Sequence, residues 1–530
     1  MRGIFSILAG LAHAASMGTP WDAQPAGWLQ LLALAALVWQ LSHCETPKAA
    51  AWSGWLFTLA WLGGTFWWLY ISMHTYGGLN AMLTVLSIAT LAGLLALYYA
   101  AACAAYVYLA PASQGPPSLL ASLLFGALWT MAEICRGTWL TGFGWGAAGY
   151  AHIGGMAVLA KYVGAYGVAA LAAWAAWWLV AVARSVARRL ARIAENRAER
   201  KVVDLSLLRA ALPLMLLVVA TVVSKREFSA SSGRLEVALL QGNIAQDEKF
   251  EPGSGVADSL RWYGEQITNS KAALIVAPET AIPLLPRQLP EGYWEALTAP
   301  FKRPGDVGQR ALLVGIPLGS YTDGYTNSVV GVRAGGPYQY DKHHLVPFGE
   351  FIPPLFKWFT QMMNIPLGDF NRGAVGQPSF ETQGQRLAPN ICYEDLFGEE
   401  LGARFADAAK SPTIFVNISN IGWFGNTIAI DQHLNISRMR AIEFERPFIR
   451  ATNTGATVII DHMGRVTHSL PRYTRDVLTA KVEGRGGSAG NDFGLTPFAR
   501  WVSRFGLWPY WLIGIGVVVI AAWRKRARVA

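Results

Sequence analysis

Charge is scarce in this 530-residue chain, and its first third is almost without it. Asp, Glu, Lys and Arg make up 15% of the residues, against about 25% in ordinary soluble domains. Between Met1 and Ala183 there are seven: Arg2, Asp22, Glu45, Lys48, Glu133, Arg136 and Lys161. The 84 residues from Ala49 to Ala132 carry none. No soluble domain is built that way, whereas a bilayer requires it, at about 20 apolar residues per crossing. With 53% hydrophobic residues, disorder, collagen and an ordinary cytosolic enzyme are disfavoured. Cysteine is scarce as well: Cys44, Cys103, Cys135 and Cys392 are all there is, too few for a disulfide-built scaffold. His343 and His344 are adjacent, but no Cys/His cluster with metal-ligand spacing accompanies them. No metal site and no cofactor are expected.

What the first half does have is apolar runs, near 3–17, 28–43, 52–73, 81–108, 118–135, 156–183 and 206–224, with an eighth near 507–523. Turn-forming breaks divide them: Gly18-Thr19-Pro20, Thr46-Pro47, Gly77-Gly78 and the stretch from Pro111 to Pro117. The reading is a polytopic α-helical membrane protein of about eight spans, the first two short. Met1–Met17 also resembles a signal peptide, ending in Ala12-His13-Ala14, but with more spans following it serves as an uncleaved first helix. Basic residues crowd two places, Arg184 to Lys201 and the tail with Arg524, Lys525, Arg526 and Arg528. The positive-inside rule puts both in the cytoplasm, and with them both termini. The net charge of +10 is then mostly a topology signal, and nucleic acid is not an expected partner. The expected domains are residues 1–224 (seven spans), 225–500 (an extracytoplasmic domain) and 501–530 (the eighth helix and basic tail).

That outer segment alternates strand-like and helical stretches: strands near Leu235–Gln241, Ala273–Ala277, Ala311–Gly315, Ser328–Val332, Leu387–Ile391, Thr413–Ile418 and Ala456–Ile460, helices near Ser254–Ser270, Glu399–Ala409 and Ala429–Phe444. Short apolar strands between helices suit an α/β layered domain. Its one cysteine, Cys392, follows a strand and precedes a helical stretch. At such a corner backbone N–H groups favour the thiolate; a buried, inert thiol is the competing reading. Glu279 ends the apolar run Leu274-Ile275-Val276-Ala277-Pro278, and Lys342 follows Tyr338-Gln339-Tyr340-Asp341. Singly, each is more naturally a paired structural charge. Together, a carboxylate, an ammonium and a thiol at strand ends are what covalent acyl transfer needs: a base, an oxyanion partner and a nucleophile.

Three segments carry a resemblance. They are Ala-Pro-Glu279-Thr-Ala-Ile-Pro, Tyr-Asp-Lys342-His-His-Leu-Val-Pro-Phe-Gly-Glu350-Phe-Ile-Pro and Ile-Cys392-Tyr393-Glu394-Asp. They resemble the Glu-Lys-Cys triad of the nitrilase (carbon–nitrogen hydrolase) superfamily. With the membrane frame the whole chain resembles the apolipoprotein N-acyltransferase family, bacterial inner-membrane enzymes with eight spans around a periplasmic nitrilase-like domain, an αββα sandwich. Shorter matches are Val237 to Asn243, Ser419 to Gly425, Arg438 to Glu443, Thr452 to Gly455 and Leu140 to Phe143.

The resemblance implies that Cys392 attacks the sn-1 ester of a phospholipid, typically phosphatidylethanolamine, and passes the acyl chain through a thioester to the α-amine of a diacylglyceryl-cysteine apolipoprotein. It makes Glu279 the base, Lys342 the oxyanion stabiliser and Glu350 its holder, with Tyr393 N–H completing the oxyanion site and Glu394 in support. Trp423, in a Gly-flanked loop, is either a lid at the lipid entrance or simple packing. Two positions depart from the family pattern. Phe250, after Lys249, stands where members often have Trp, which removes an indole donor, and Ile421 stands where Asp is frequent.

The competing functions are a membrane-tethered nitrilase-like amidase and a non-enzymatic lipid carrier. The span count argues against the first, the intact triad against the second. A monomer is expected. Glu133 and Arg136, three apart at the end of the fifth run, read as an interfacial salt bridge or a headgroup contact. Arg438, Arg440, Arg446 and Arg450 with Glu443 and Glu445 read as an internal ion-pair network, and Trp67-Trp68 and Trp177-Trp178 as interfacial belts.

Overall fold

A strand that is apolar at successive positions has no face to give to water, so it must be covered on both sides. The computed structural model of the chain, which describes residues 2–110, 117–194, 205–224, 226–302, 310–352, 369–487 and 494–529, shows how. Twelve strands form two six-stranded sheets. The first runs in the order β12 (Asp476–Gly486), β1 (Ala230–Gln241), β2 (Leu274–Val276), β3 (Ala311–Ser320), β4 (Gly324–Val332) and β5 (Tyr338–Asp341). The second runs in the order β11 (Val466–Ser469), β10 (Val458–Ile460), β9 (Phe448–Thr452), β8 (Ile414–Ser419), β7 (Gln385–Ile391) and β6 (Phe380–Thr382). Pairing is parallel for β1–β2–β3 and β7–β8–β9, and antiparallel elsewhere.

Alternation along β1 shows the layering. Leu235, Val237 and Leu239 enter one core with Leu387, Ile391, Val416 and Ile418 of the other sheet. Ala238 and Leu240 enter another, with Tyr263 and Ile267 of the helix Ala257–Asn269 and Leu297 and Phe301 of the helix Tyr293–Lys302. The helix Ala429–Phe444 packs on β9, with Phe444 against Phe415 of β8. The domain is thus a helix–sheet–sheet–helix sandwich. Strands β5, β6, β9, β11 and β12 escaped the sequence reading. Four of these lie at or next to sheet edges, where polar residues can face solvent and no long apolar run is needed. The helix expected over Glu399–Ala409 is instead one short turn, Gly398–Gly402, followed by 3₁₀ turns at Ala403–Phe405 and Ala408–Lys410. The Asp407 side chain caps the last of these at Ala409 N–H, which favours a new turn over a continued helix.

This sandwich, residues Glu227–Gly506, forms one compact unit together with Trp68–Val85; the remaining helices form the other. Hydropathy does not reveal that boundary, because Trp68–Val85 lies inside the uncharged stretch. Nor does Trp68 sit in an interfacial belt. It is 1% exposed, donates through Nε1 to Gln432 Oε1 at 3.0 Å and meets the Phe424 ring at 4.4 Å. Trp178 is buried as well, whereas Trp67 is exposed.

The helical unit has a helix at each apolar run: Arg2–Ala15, Gly27–Leu41, Pro47–Phe66, Ala81–Leu109, Leu119–Thr138, Ala160–Ala194, Leu205–Val223 and Trp508–Val529. Among the described residues four stretches, Ala81–Leu109, Leu119–Thr141, Met156–Ala191 and Ser206–Val223, are long and apolar enough to cross a membrane. Trp508–Ala527 makes a fifth when counted with Pro497–Phe505 before it. The first two helices, of 14 and 15 residues, reach about 21–23 Å, short of a ~30 Å hydrocarbon core. Apolar side chains face outward along the last spans, among them Met215, Leu216, Val219, Leu512, Ile513 and Val519, as a lipid-facing surface does.

Glu133 and Arg136 make no salt bridge with each other. Both are fully buried. Glu133 Oε1 accepts from Ala148 N–H at 2.9 Å and Trp129 Nε1 at 3.3 Å. Arg136 donates to Tyr99 Oη at 3.0 Å and to the carbonyls of Phe143 and Trp145 at 2.7 and 2.8 Å. Main-chain carbonyls thus satisfy the guanidinium in place of a carboxylate.

Helix Arg2–Ala15 crosses Pro47–Phe66 so closely that a Cβ on Gly10 would collide with the Phe57 carbonyl, while Gly63 has open space around it. Small residues make such approaches possible. Gly10→Val is therefore expected to lower the thermal unfolding midpoint in detergent by several degrees, and Gly63→Val to leave it nearly unchanged.

Candidate active site

The site collects at strand ends. Glu279 lies three residues past β2, Lys342 directly past β5, Cys392 directly past β7 and Asn420 directly past β8. β2, β7 and β8 reach the site from buried cores, while the β5 strand before Lys342 buries only Tyr340.

Glu279 is 8% exposed and fully engaged. Its Oε1 accepts from Asn327 Nδ2 at 2.8 Å and from Lys342 Nζ at 3.5 Å, and its Oε2 from Asn420 N–H at 2.8 Å. Lys342, 1% exposed, makes its shorter contact with Glu350 Oε1, at 2.8 Å. Asn327 Nδ2 also donates to Glu350 Oε1 at 2.8 Å, so one amide holds both carboxylates. Burial alone would lower the Lys342 pKa, but the Glu350 and Glu279 carboxylates outweigh it and hold the ammonium well above its ordinary value.

Cys392 opens the 3₁₀ turn Cys392–Leu396 with φ +55°, a left-handed conformation unusual for a residue with a side chain. The strain, of order 1–3 kcal/mol, persists because the corner is held: the Cys392 carbonyl accepts from Asn417 Nδ2 at 2.7 Å, with His433 Nε2 at 3.2 Å. The thiol is half-buried. Burial and then the Glu279 carboxylate push its pKa up, with Lys342 opposing. At rest the proton therefore stays on sulfur.

Glu394 ties the corner to the lysine. Its Oε2 accepts from Ile391 N–H at 2.7 Å and Tyr340 Oη at 2.8 Å, and its Oε1 from the His343 and His344 N–H groups at 2.7 and 3.1 Å. The Tyr393 hydroxyl donates to Leu345 O at 2.7 Å, and Lys342 Nζ stands 5.8 Å above its ring. The adjacent histidines are occupied elsewhere, with His343 Nδ1 2.7 Å from Gly373 O and His344 Nδ1 3.0 Å from Glu400 Oε1. Trp423, in the turn Ile421–Phe424, is partly exposed and meets the Tyr76 ring edge-on at 5.8 Å; Phe250 is partly buried.

Several groups here were not read from the sequence. Asn327 had no signal, because an Asn inside a strand run looks like any other. Asn420 lay inside a matched motif without a role, and Lys249 was passed over for its neighbour Phe250. Behind the corner, Asp395 pairs with Arg450 at 3.1 Å and His433 at 3.0 Å and also contacts Ser437. Burial would raise the Asp395 pKa, but His433 and Arg450 overcome it and hold the carboxyl below its usual range. The expected arginine network is real in part: Arg440 pairs with Glu443 at 3.0 Å, whereas Arg446 serves the carbonyls of Pro412 and Gly494, and Arg438 that of Gly464.

Thus the chain has a bundle of membrane-type helices and a sandwich domain with a glutamate, a lysine and a cysteine at neighbouring strand ends, the build of a membrane-embedded carbon–nitrogen hydrolase. Residues 236–489 match the carbon–nitrogen hydrolase family model, and residues 12–178 match that of the apolipoprotein N-acyltransferase N-terminal domain. A protein of Verminephrobacter eiseniae named apolipoprotein N-acyltransferase is 53% identical over 95% of this chain and 93% of its own length. One of the same name from Ralstonia nicotianae is 42% identical over 94% and 90%. The chain belongs to the apolipoprotein N-acyltransferase family.

The Asp395–Arg450 pair is buried, and removing one partner of such a pair costs about 3–5 kcal/mol. Arg450→Met is expected to lower the unfolding midpoint steeply in a thermal melt. Arg465→Met, which breaks an exposed pair with Asp461, is expected to move it little.

Proposed function

We propose that the protein acylates the N-terminus of lipoproteins, using a membrane phospholipid as acyl donor and Cys392 as the nucleophile. The observation that carries this reading is the buried cluster of Glu279, Lys342 and Glu350 beside the strained Cys392 corner, in a chain of this family. Glu279 takes the thiol proton as Sγ attacks the sn-1 ester carbonyl. Lys342 stabilises the oxyanion, with the Tyr393 N–H as a second donor. Collapse expels the lysophospholipid alkoxide, which takes the proton from Glu279, and leaves a thioester. The α-amine of a diacylglyceryl-cysteine then attacks the thioester, Glu279 accepts its proton, and the amide forms as the thiolate leaves and is reprotonated. Glu350 and Glu394 hold Lys342 and the corner in place, and Trp423 and Phe250 line the lipid approach.

The reading includes eight membrane crossings in a bacterial inner membrane, a periplasmic sandwich domain, cytoplasmic termini, phosphatidylethanolamine as donor and a monomeric enzyme. The apolar helices and the basic segments at Arg184–Lys201 and Arg524–Arg528 support it through the positive-inside rule.

Incubation of the detergent-solubilised protein with a phospholipid tagged on its sn-1 chain should give a hydroxylamine-labile adduct, which a diacylglyceryl peptide then converts to tagged amide. Cys392→Ala should abolish the adduct, and Glu279→Gln should slow its formation by about 10²–10⁴-fold, the worth of a general base. An adduct that survives Cys392→Ala would sink the proposal. Hydrolysis of a small amide without any lipid adduct would point to an amidase instead.

A further inference from the structure

Lys342 is not the only ammonium buried beside the reacting groups. Lys249, in the loop after β1, is 2% exposed, and its Nζ donates to the main-chain carbonyl of Glu279 at 3.0 Å. Thr280 Oγ1 donates to the same carbonyl at 2.8 Å, and Thr280 itself has φ +47°. Two donors thus hold the main chain of the base at a left-handed residue. The same loop reaches the other side of Glu279: Gln246 Oε1 accepts from Asn420 Nδ2 at 2.7 Å, and Asn420 N–H is the donor to Glu279 Oε2. The backbone at Lys249 is itself packed tightly, since a Cβ on Gly255 would collide with the Glu248 carbonyl and press on Lys249 Cα.

An ammonium buried this completely is costly unless negative charge answers it. One neutral carbonyl does not. The charged and titratable groups that act on Lys249 are Glu279 and Cys392. Burial, opposed by these two, pushes its pKa down to about 8, so at neutral pH it remains mostly a cation. At the Cys392 thiol the carboxylates of Glu279, Glu350 and Asp395 oppose negative charge and Lys342 favours it, and Lys249 is coupled to the same thiol. When the proton moves from Cys392 to Glu279, negative charge moves from the carboxylate to sulfur and then to the oxyanion, and a second ammonium fixed at the Glu279 main chain and coupled to both groups favours it at each stage.

We propose that Lys249 is a positioning residue of acyl transfer: it fixes the main chain of Glu279 and, as the second buried ammonium of the site, stabilises negative charge at Cys392. The proposal rests on the reading of Glu279 as base and Cys392 as nucleophile.

The test uses the full-length protein in detergent at pH 7, with Lys249→Gln, Lys249→Met and Lys249→Arg. The readout is the rate of Cys392 alkylation by iodoacetamide, followed by mass spectrometry of the Cys392 peptide. Only the thiolate reacts, so Gln and Met should slow alkylation about tenfold, the effect of a one-unit rise in thiol pKa, and Arg should restore it. Formation of the tagged-lipid adduct should fall in the same order with the donor KM unchanged. Loss of fold would expose the thiol and raise the rate, the opposite sign. Wild-type alkylation in Lys249→Gln would overturn the proposal, and so would slow alkylation in Lys249→Arg equal to that in Lys249→Met. The functional reading fails separately, if the wild-type protein forms no Cys392-dependent lipid adduct.

Discussion

Two carboxylates and an ammonium share a space from which water is almost excluded, and most of the sandwich domain is arranged around making that tolerable. Lys342 cannot be ionised there without Glu350 at 2.8 Å and Glu279 at 3.5 Å. The two carboxylates in turn need the Asn327 amide between them. Burying such groups costs several kcal/mol each unless every lone pair and proton finds a partner. The partners come from β4, from the ends of β5 and β8, and from the loop after β1, which is why no single segment of the chain can hold the site.

The same logic explains the corner at Cys392. A residue with a side chain at φ +55° is held there only if its surroundings over-determine it. Asn417 grips its carbonyl, Glu394 gathers the N–H groups of Ile391, His343 and His344, and Asp395 is locked by Arg450 and His433. Glu394 is the mechanical link between the lysine and the cysteine, since it accepts from residues on both sides. The thiol itself is kept protonated at rest by burial and the neighbouring carboxylates.

On the proposed function, the lipid donor explains why a hydrolase-like sandwich is joined to membrane-type helices. A two-tailed phospholipid leaves the bilayer at about 0.8 kcal/mol for each methylene exposed, so a nucleophile that takes its acyl chain is best kept at the membrane. Residues 68–85, from the uncharged half of the chain, belong to the same compact unit as the sandwich. They supply Trp68 against Phe424 and Tyr76 against Trp423. The turn carrying Trp423 is therefore framed by a segment that composition alone would assign to the membrane.

Much was legible from composition and local pattern. An 84-residue stretch without charge points to a bilayer, in keeping with the long apolar helices found there. Glu279 and Cys392 stood out because each ends or follows an apolar run, and Lys342 because it lies in a motif that the family shares; such signals are local. What the tertiary structure alone decided is which polar groups meet. Glu133 and Arg136 are three residues apart on one helix, yet they bind different atoms: Glu133 accepts from Ala148 N–H, and Arg136 donates to the carbonyls of Phe143 and Trp145. Asn327, Asn420 and Lys249 looked ordinary in the sequence, and only the crossing of strands from two halves of a sandwich brings all three to Glu279. Hydrophobic periodicity is a property of neighbours along the chain, whereas the partners of a buried charge come from wherever the fold places them.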